Sequence, residues 1–547
     1  MSHQDDTGLT TSRHTAGVLP RRVSEIMQGS SSKRGQAMSI ASAKEMRSRS
    51  APIVALESWR TENRREPVSS EGEHPEKGGI VAGNTAALPS AEDVYTKQQR
   101  IAKHAQQMQG KALTSLQHHI DGAWLLEAWR RTRQDGAAGV DGQSAKQYAE
   151  NLHGNLADLL NRFKSGSYKA PPVRRVHIPK GDGTSTRPIG IPTIEDKVLQ
   201  RAVTMLLEPI YEAEFKDYSF GFRPGKSAHG ALEHLWQQSM GARGERPVQW
   251  ILDVDIRAFF DTLDHTHLRQ MLDKRIRDGV IRRVIDKWLK AGVMERGSLS
   301  YQDEGTPQGG VISPLLSNIY LHEVLDEWFE SEVQPRMKGR VFLVRYADDF
   351  VIGFECEEDA KRVQEVLPKR FERYGLTLHP EKTRLMAFKP AEMKTQPQKE
   401  DSNTDNDNEP PAQDPKHESR SFDFLGFTHY WGRSRKGRPV IQRSTASKRL
   451  SRALVKLREW MRQHRHDPVN EQWRSLKRKV QGHNGYYGIT GNSRGIGSFS
   501  YHAQNAWFEW LNRRGGKKAL SWEKYSQWLR EVFRWPAPRI RPRSRVA

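Results

Sequence analysis

Tyr346-Ala347-Asp348-Asp349 lies between two apolar runs, Val341 to Val344 and Phe350 to Phe354. Runs this short and this rich in Val and Phe read as strands, and the two carboxylates fall at or near the bend that joins them. A second apolar run, Val248 to Ile256, carries Asp253 and Asp255 at its end, with Asp261 just beyond. Laid side by side, the strands bring Asp255 to Asp348 and Asp349. The three carboxylates then make an oxygen cage suited to two Mg²⁺ ions. An isolated Asp-Asp pair is usually only a polar hairpin turn; the upstream cluster is what makes this one constraining.

At 547 residues the chain has room for roughly three or four structural units. Its net charge of +22 points to a polyanionic partner, and nucleic acid is the commonest. An anionic membrane surface is the rival. No stretch approaches the roughly 20 apolar residues of a spanning helix, and the N-terminus, with Asp5 and Asp6, has no apolar signal region. The one cysteine, Cys356, rules out internal disulfides and a Cys-rich zinc module. A soluble, cytoplasmic protein associated with RNA or the nucleoid is expected.

Residues 1–94 are rich in Ser, Gly, Arg, Glu and Gln and read as a disordered or loosely attached tail. Helical periodicity then runs through Leu113, Leu116, Ile120, Trp124, Leu125 and Trp129, followed by a Gly-rich turn from Gly136 to Gly142. Val173 to Ile178 reads as a strand, ahead of a loop from Lys180 to Arg187. Thr193 and Asp196 suggest a capping box opening a helix striped with Ile194, Val198, Leu199, Ala202, Leu206 and Ile210. A second helix is expected after Ser313 (as cap) and Pro314, with Leu316, Ile319, Tyr320, Val324, Leu325 and Trp328 inward. Residues 394–421 form a flexible acidic insertion. After Arg443 the pattern is helical, basic and Trp-rich to about Trp535, and residues 536–547 are a basic tail.

Phosphoryl transfer from a nucleoside triphosphate needs carboxylates holding two metals about 3.5–4 Å apart. Asp255, Asp348 and Asp349 answer that need. Phe260 is a ring able to exclude a 2′-hydroxyl. Gly305-Thr-Pro-Gln308-Gly309-Gly310 places small residues just before a helix, where backbone can approach a nucleotide closely. Lys180 and Arg187 flank the Gly-containing loop as candidate triphosphate clamps, and Lys382 is a candidate proton donor to pyrophosphate.

The ordered set resembles bacterial group II intron-encoded reverse transcriptase/maturases. The matching stretches are Arg187 to Pro192, Tyr218 to Ser227, Asp255 to Asp261, Thr306 to Gly310, Tyr346 to Asp349 and Phe424 to Phe427. The likeness extends from about residue 95 to the C-terminus. It implies an α+β fold: a right-hand polymerase whose fingers (95–245) and palm (246–442) carry an antiparallel palm sheet, with an α-helical thumb/maturase domain (443–535). It further implies that Asp255, Asp348, Asp349 and the Ile256 carbonyl bind two Mg²⁺. Phe260 looks like the sugar gate, and Gln308, Gly309, Lys180, Arg187 and Lys382 look like nucleotide-pocket residues. Phe424, Leu425 and Gly426 look like the primer grip, and the Gly136–Gly142 turn resembles a template-contacting extension.

Arg449, Arg452, Lys456, Arg474, Lys477 and Arg478, interleaved with Trp431, Trp460 and Trp473, suit phosphate neutralisation with stacking on unpaired bases. Tyr486 and Tyr487 lie in a stretch resembling the maturase signature. The implied partners are group II intron RNA, an RNA template, a DNA primer or target, and deoxynucleoside triphosphates. The implied activity is RNA-directed DNA synthesis with intron splicing and retrohoming. Unlike many family members, the chain is expected to lack a zinc-stabilised HNH nuclease. Two other readings stay open: a splicing cofactor whose polymerase activity is secondary, and a domesticated reverse transcriptase in phage defence or a CRISPR-associated system.

Overall fold

The computed structural model describes residues 91–179, 186–242, 245–295, 297–301, 305, 309–390, 421–514 and 519–541. The N-terminal tail up to residue 90, nearly all of the acidic insertion, Lys180 and Gln308 lie outside the described residues. All that is described belongs to one compact unit.

The first described element is helix α1 (Ala91–Gln107), which starts three residues ahead of Val94, with Val94, Ile101 and Ala105 inward. The expected single helix through Trp129 is broken. The Asp278 carboxylate accepts from the backbone N–H of Leu116 and Gln117, where the chain makes only a single 3-10 turn, Gln117–His119. Asp121 then caps α2 (Gly122–Arg131) by accepting from Trp124 N–H. Helices α3 (Ala145–Ala149) and α4 (Leu152–Ser165) follow, the latter ended by Gly166 at φ 78°.

Strands β1 (Val173–Pro179) and β2 (Thr186–Ile191) pair antiparallel. Thr193 caps α5 (Ile194–Tyr211), but the capping box is only half made. The Asp196 carboxylate is turned instead to the Tyr168 hydroxyl and the Trp288 indole N–H, in the core. Next come α6 (Ala228–Met240), β3 (Trp250–Asp255), α7 (His265–Arg275), α8 (Gly279–Leu289), β4 (Val293–Glu295) and β5 (Ser298–Ser300). Helix α9 (Ser313–Leu321) starts one residue earlier than expected: Ile312, not Ser313, is its cap, and the Gln200 side chain accepts from Val311 and Ile312 N–H. It continues through two π-helical turns, His322–Asp326 and Phe329–Val333, which keep the expected apolar stripe buried through Trp328.

Strands β6 (Val341–Tyr346) and β7 (Asp349–Phe354) form the anticipated hairpin, followed by α10 (Glu357–Glu372) and β8 (Arg384–Ala387). Strands β9 (Ser421–Phe424), β10 (Phe427–Arg433) and β11 (Pro439–Thr445) make a meander, and α11 (Ser447–Gln463), α12 (Val469–Tyr487), α13 (Ser493–Asn512) and α14 (Trp522–Gln527) close the chain.

Among the described residues three sheets result, ordered β2-β1-β4-β5, β6-β7-β3-β8 and β11-β10-β9. The second is antiparallel throughout and is buried on both faces, because alternate residues feed different cores. Leu252, Val254, Phe350 and Ile352 join the large core beneath α1–α5 and α7–α10. Ile251, Val351, Phe342 and Val344 join a second core with α6 and the β9–β11 meander. The last helices have their own Trp-rich core. There Trp473 packs on Trp507, Phe533 and Trp535 and is only 8% exposed. Trp460 and Trp431 are half-buried; Lys479 lies over the first, and the second donates to Phe388 O. Trp473 therefore serves packing, which corrects the expectation that this ring stacks on bases.

Candidate active site

The central sheet brings the acidic residues together. Asp255 ends β3 directly across from Asp349, which begins β7, and Tyr346 faces Asp349 across the hairpin. Two turn residues remain, Ala347 and Asp348. Ala347 takes φ +58°, a left-handed conformation that costs a non-glycine residue about 1 kcal/mol.

A buried network holds that turn. Arg345, fully buried, donates bidentately to Asp326, also fully buried, and donates to Asn318 Oδ1 at 2.9 Å and to Ala347 O at 3.2 Å. Burial by itself would raise the Asp326 carboxyl; the Arg345 charge and His322 outweigh it and hold it below its ordinary value. Asn318 Nδ2 donates to Gly221 O at 2.8 Å, and Phe220 N–H to Arg345 O at 2.8 Å. The Gly221 backbone lies so close that a Cβ there would stand 2.3 Å from Ala347 N. Arg223 anchors the far side of this loop through Glu212 and the Ser219 carbonyl.

The carboxylates crowd one another. Desolvation, then repulsion by Asp253, Asp348 and Asp255, pushes Asp349 up to about 7. Desolvation also raises Asp348, with Asp255 adding to the effect and Arg187 and Arg345 opposing it. Asp253 is pushed up to about 6 by burial, against the pull of Arg384. The segment from Thr377 to Lys382 hangs on the end of β3: His379 N–H donates to Asp255 O and Arg257 N–H to Thr377 O, so neither bond uses the Ile256 carbonyl. The same segment sets Lys382 Nζ 2.6 Å from Asp255 Oδ2.

As the side chains stand, no group of three or more His, Cys, Asp or Glu among the described residues is gathered tightly enough to hold a metal ion. The donor set is nevertheless hard oxygen, mutually repelling and half-buried. That is the chemistry a divalent cation relieves.

The other anticipated residues lie on several elements. Arg187 on β2 is near enough to Asp348 to lower its pKa. Phe260 is half-buried against Phe259, 5.4 Å between centroids. Gly309 has φ +114°, and a Cβ would meet Gly190 O at 2.4 Å, so this backbone lies directly on β2. Phe424 is buried, and the turn Leu425-Gly426 takes φ of 50° and 81°. Tyr486 Oη donates to Leu425 O at 2.8 Å and Ala446 N–H to Gly426 O, which fixes the β9–β10 turn from the helices. Tyr487 packs beside it. Arg449, Lys456, Arg474, Lys477 and Arg478 are exposed and Arg452 half-buried on α11 and α12. Ala137 O and Ala138 O in the Gly-rich turn accept from Lys197 and Arg174.

Sequence reasoning passed over three contributors. Arg345 looked like a strand residue beside the motif, and its burial depends on partners 19 and 27 positions away. Gly221 carries no local signal of its contact. Arg449, assigned only to RNA binding, also pulls down the pKa of Asp349.

Residues 178–429 match the profile of the family described as reverse transcriptase (RNA-dependent DNA polymerase). The chain is 38% identical over 270 residues to Protein YkfC of Escherichia coli (strain K12), covering 44% of this chain and 70% of that protein. It is 36% identical over 230 residues to the group II intron-encoded protein LtrA of Lactococcus lactis subsp. cremoris, covering 41% of this chain and 37% of LtrA. It is 28% identical over 276 residues to the putative COX1/OXI3 intron 1 protein of Saccharomyces cerevisiae, covering 42% and 32%. The match thus spans about a third of the two intron-encoded relatives. No helix among the described residues is long and apolar enough to cross a membrane. A cluster of carboxylates on an antiparallel sheet, within a mixed helix-and-sheet fold, agrees with the profile match and the extensive likeness to YkfC: the chain belongs to the reverse transcriptase (RNA-dependent DNA polymerase) family.

Proposed function

We propose that the chain is a group II intron-encoded RNA-directed DNA polymerase that also binds its intron RNA and assists splicing and mobility. The observation that carries the polymerase reading is the register of β3 on β7, which sets Asp255 opposite Asp349 and beside Asp348. In this reading 95–245 are fingers, 246–442 palm and 443–535 thumb and maturase helices. The protein would work in the cytoplasm, on the nucleoid or bound to RNA.

Asp255, Asp348, Asp349 and the Ile256 carbonyl would hold two Mg²⁺. Bound there, such ions activate a primer 3′-oxygen and stabilise departing pyrophosphate. The chain's own residues do the remaining work. Arg187 and Lys180 bind the triphosphate, and Gln308 and Gly309 line the nucleotide site. Phe260 walls the sugar against a 2′-hydroxyl. Lys382, already within hydrogen-bond reach of Asp255, supplies a proton to pyrophosphate. The β9–β10 turn, braced by Tyr486, positions the primer end. Arg449, Arg452, Lys456, Arg474, Lys477 and Arg478, with Tyr486 and Tyr487, contact intron RNA phosphate and bases. The intron-encoded relatives favour this setting over phage defence or a CRISPR-associated role.

Primer extension on an RNA template with Mg²⁺ tests it. Asp348→Asn should abolish cDNA synthesis while RNA affinity stays near wild type; a variant that still polymerises defeats the assignment. Intron splicing by the same variant separates polymerase from splicing cofactor.

A further inference from the structure

Helix α10 lies on the central sheet through Val363, Leu367 and Phe371, all buried. Its outward side carries Arg362, Val366 and Lys369, continued by its C-cap Arg373, at offsets of four, seven and eleven residues from Arg362. Those offsets form a single stripe roughly 16 Å long. The three cations are exposed, and none makes an ion pair among the described residues. Val366, between them, is 43% exposed.

Opposite the stripe runs the segment of π-helical and 3-10 turns from Trp328 to Met337, and between the two lies a groove of about 280 Å³. Arg336 and Arg370 also reach it. Arg370 is spent on structure, donating to the Glu323 and Val324 carbonyls. Glu332 is the one acid among the described residues lining the groove, and it pairs with Arg336 at 3.6 Å. The acids at the start of α10 are committed elsewhere: Glu357 to Lys361, Glu358 to Lys338, and Asp359 to the Lys338 and Gly339 N–H groups. Glu365 and Glu372 stand on the flank of α10 away from the groove, since neither lines it.

We propose that this groove binds single-stranded RNA, as a site separate from the catalytic cleft. The linear run of uncommitted cations over an aliphatic floor fits phosphates at intervals, with bases laid on guanidinium planes and on Val366. The inference rests on the reading that the chain handles RNA. The cationic stripe lies on the side of α10 opposite Leu367 and Phe371, which pack on the sheet, and none of the carboxylates lines the groove, so the proposed site is distinct from the cleft. RNA longer than the cleft can hold would engage both.

The test uses the full chain with its cleft saturated by a dideoxy-terminated primer on an RNA template and the next dNTP. Binding of a short labelled single-stranded RNA is then titrated against salt. The wild type should bind. The triple variant R362Q/K369Q/R373Q should lose about tenfold in affinity and flatten the log K against log salt slope by about 2, at roughly 0.7 per phosphate contact. Its primer extension on a short template should be unchanged. Equal affinity and slope in the triple variant would overturn the site. So would extension lost together with binding, which would place the stripe in the cleft. Poly-glutamate competing as well as RNA would overturn the choice of ligand. Absent extension by the wild type faults the polymerase reading itself, whereas normal extension without second-RNA binding faults only the groove.

Discussion

Gly221 has no room for a side chain, because the Ala347-Asp348 turn occupies the place where one would be. A Cβ built there lies 2.3 Å from Ala347 N, 2.9 Å from Tyr346 C and 3.0 Å from Ala347 Cα, all backbone atoms. Ordinary contact would require a movement of about 1 Å. The loop cannot easily retreat, because Asn318 and Arg345 tie Gly221 and Phe220 to the strand, and Arg223 ties the next turn. The displacement therefore falls on Ala347 and on Asp348 beside it. Overpacking of this kind costs about 1–3 kcal/mol of stability. A misplacement of about 1 Å at reacting groups costs about 100-fold in rate, near 2.7 kcal/mol of transition-state stabilisation. Gly221→Ala should thus stay folded, with kcat for single-nucleotide primer extension down about 100-fold. Gly482→Ala on α12, where a Cβ meets nothing within 4 Å, is the control and should leave kcat unchanged. A folded Gly221→Ala protein with wild-type kcat would refute the reasoning, because the turn would then tolerate the shift.

Two further outcomes follow from buried charge. Arg345→Met leaves Asp326 buried without its main counter-charge and should cost about 3–5 kcal/mol in denaturant unfolding. Adding Asp326→Leu should recover much of that stability while primer extension stays depressed, since Ala347 O still lacks its donor; full activity in the double variant would make Arg345 merely structural. His429 is buried and stacked on Phe422, and burial with the nearby Arg443 charge lowers it to about 3. The unfolded chain binds its proton below the ordinary value of about 6.5 while the folded chain does not, so stability falls as pH drops from about 6.5 to about 3, by at most about 1.4 kcal/mol per unit. His429→Phe should remove that share of the acid slope in pH-dependent thermal unfolding, and an unchanged slope would show the ring already protonated in the folded state.

Local structure was largely written in local residues. The β6–β7 hairpin, β3 and the start of α5 were legible because strand alternation and N-capping depend on neighbours within a few positions. Where a distant group intervenes, local signals misled. Asp196 looked like half of a capping box but is drawn to Tyr168 and Trp288, and Asp278 breaks a periodicity that would otherwise continue through Leu116. The tryptophans of the basic region could not be sorted by sequence either, since a ring serves a core or a ligand depending on what covers it.

By itself, then, the chain's order of residues determined the strands flanking the paired aspartates, the strand that carries Asp253 and Asp255, and that a polyanion is the natural partner, because spacing and net charge are properties of the linear polymer. Only the tertiary structure decided that Arg345 sinks beneath the turn, that Gly221 must stay bare against it, that Lys382 reaches Asp255, and that three cations on α10 are left without ion pairs among the described residues. Those outcomes are set by burial and by partners far away along the chain, and no window of sequence contains both members of such a contact.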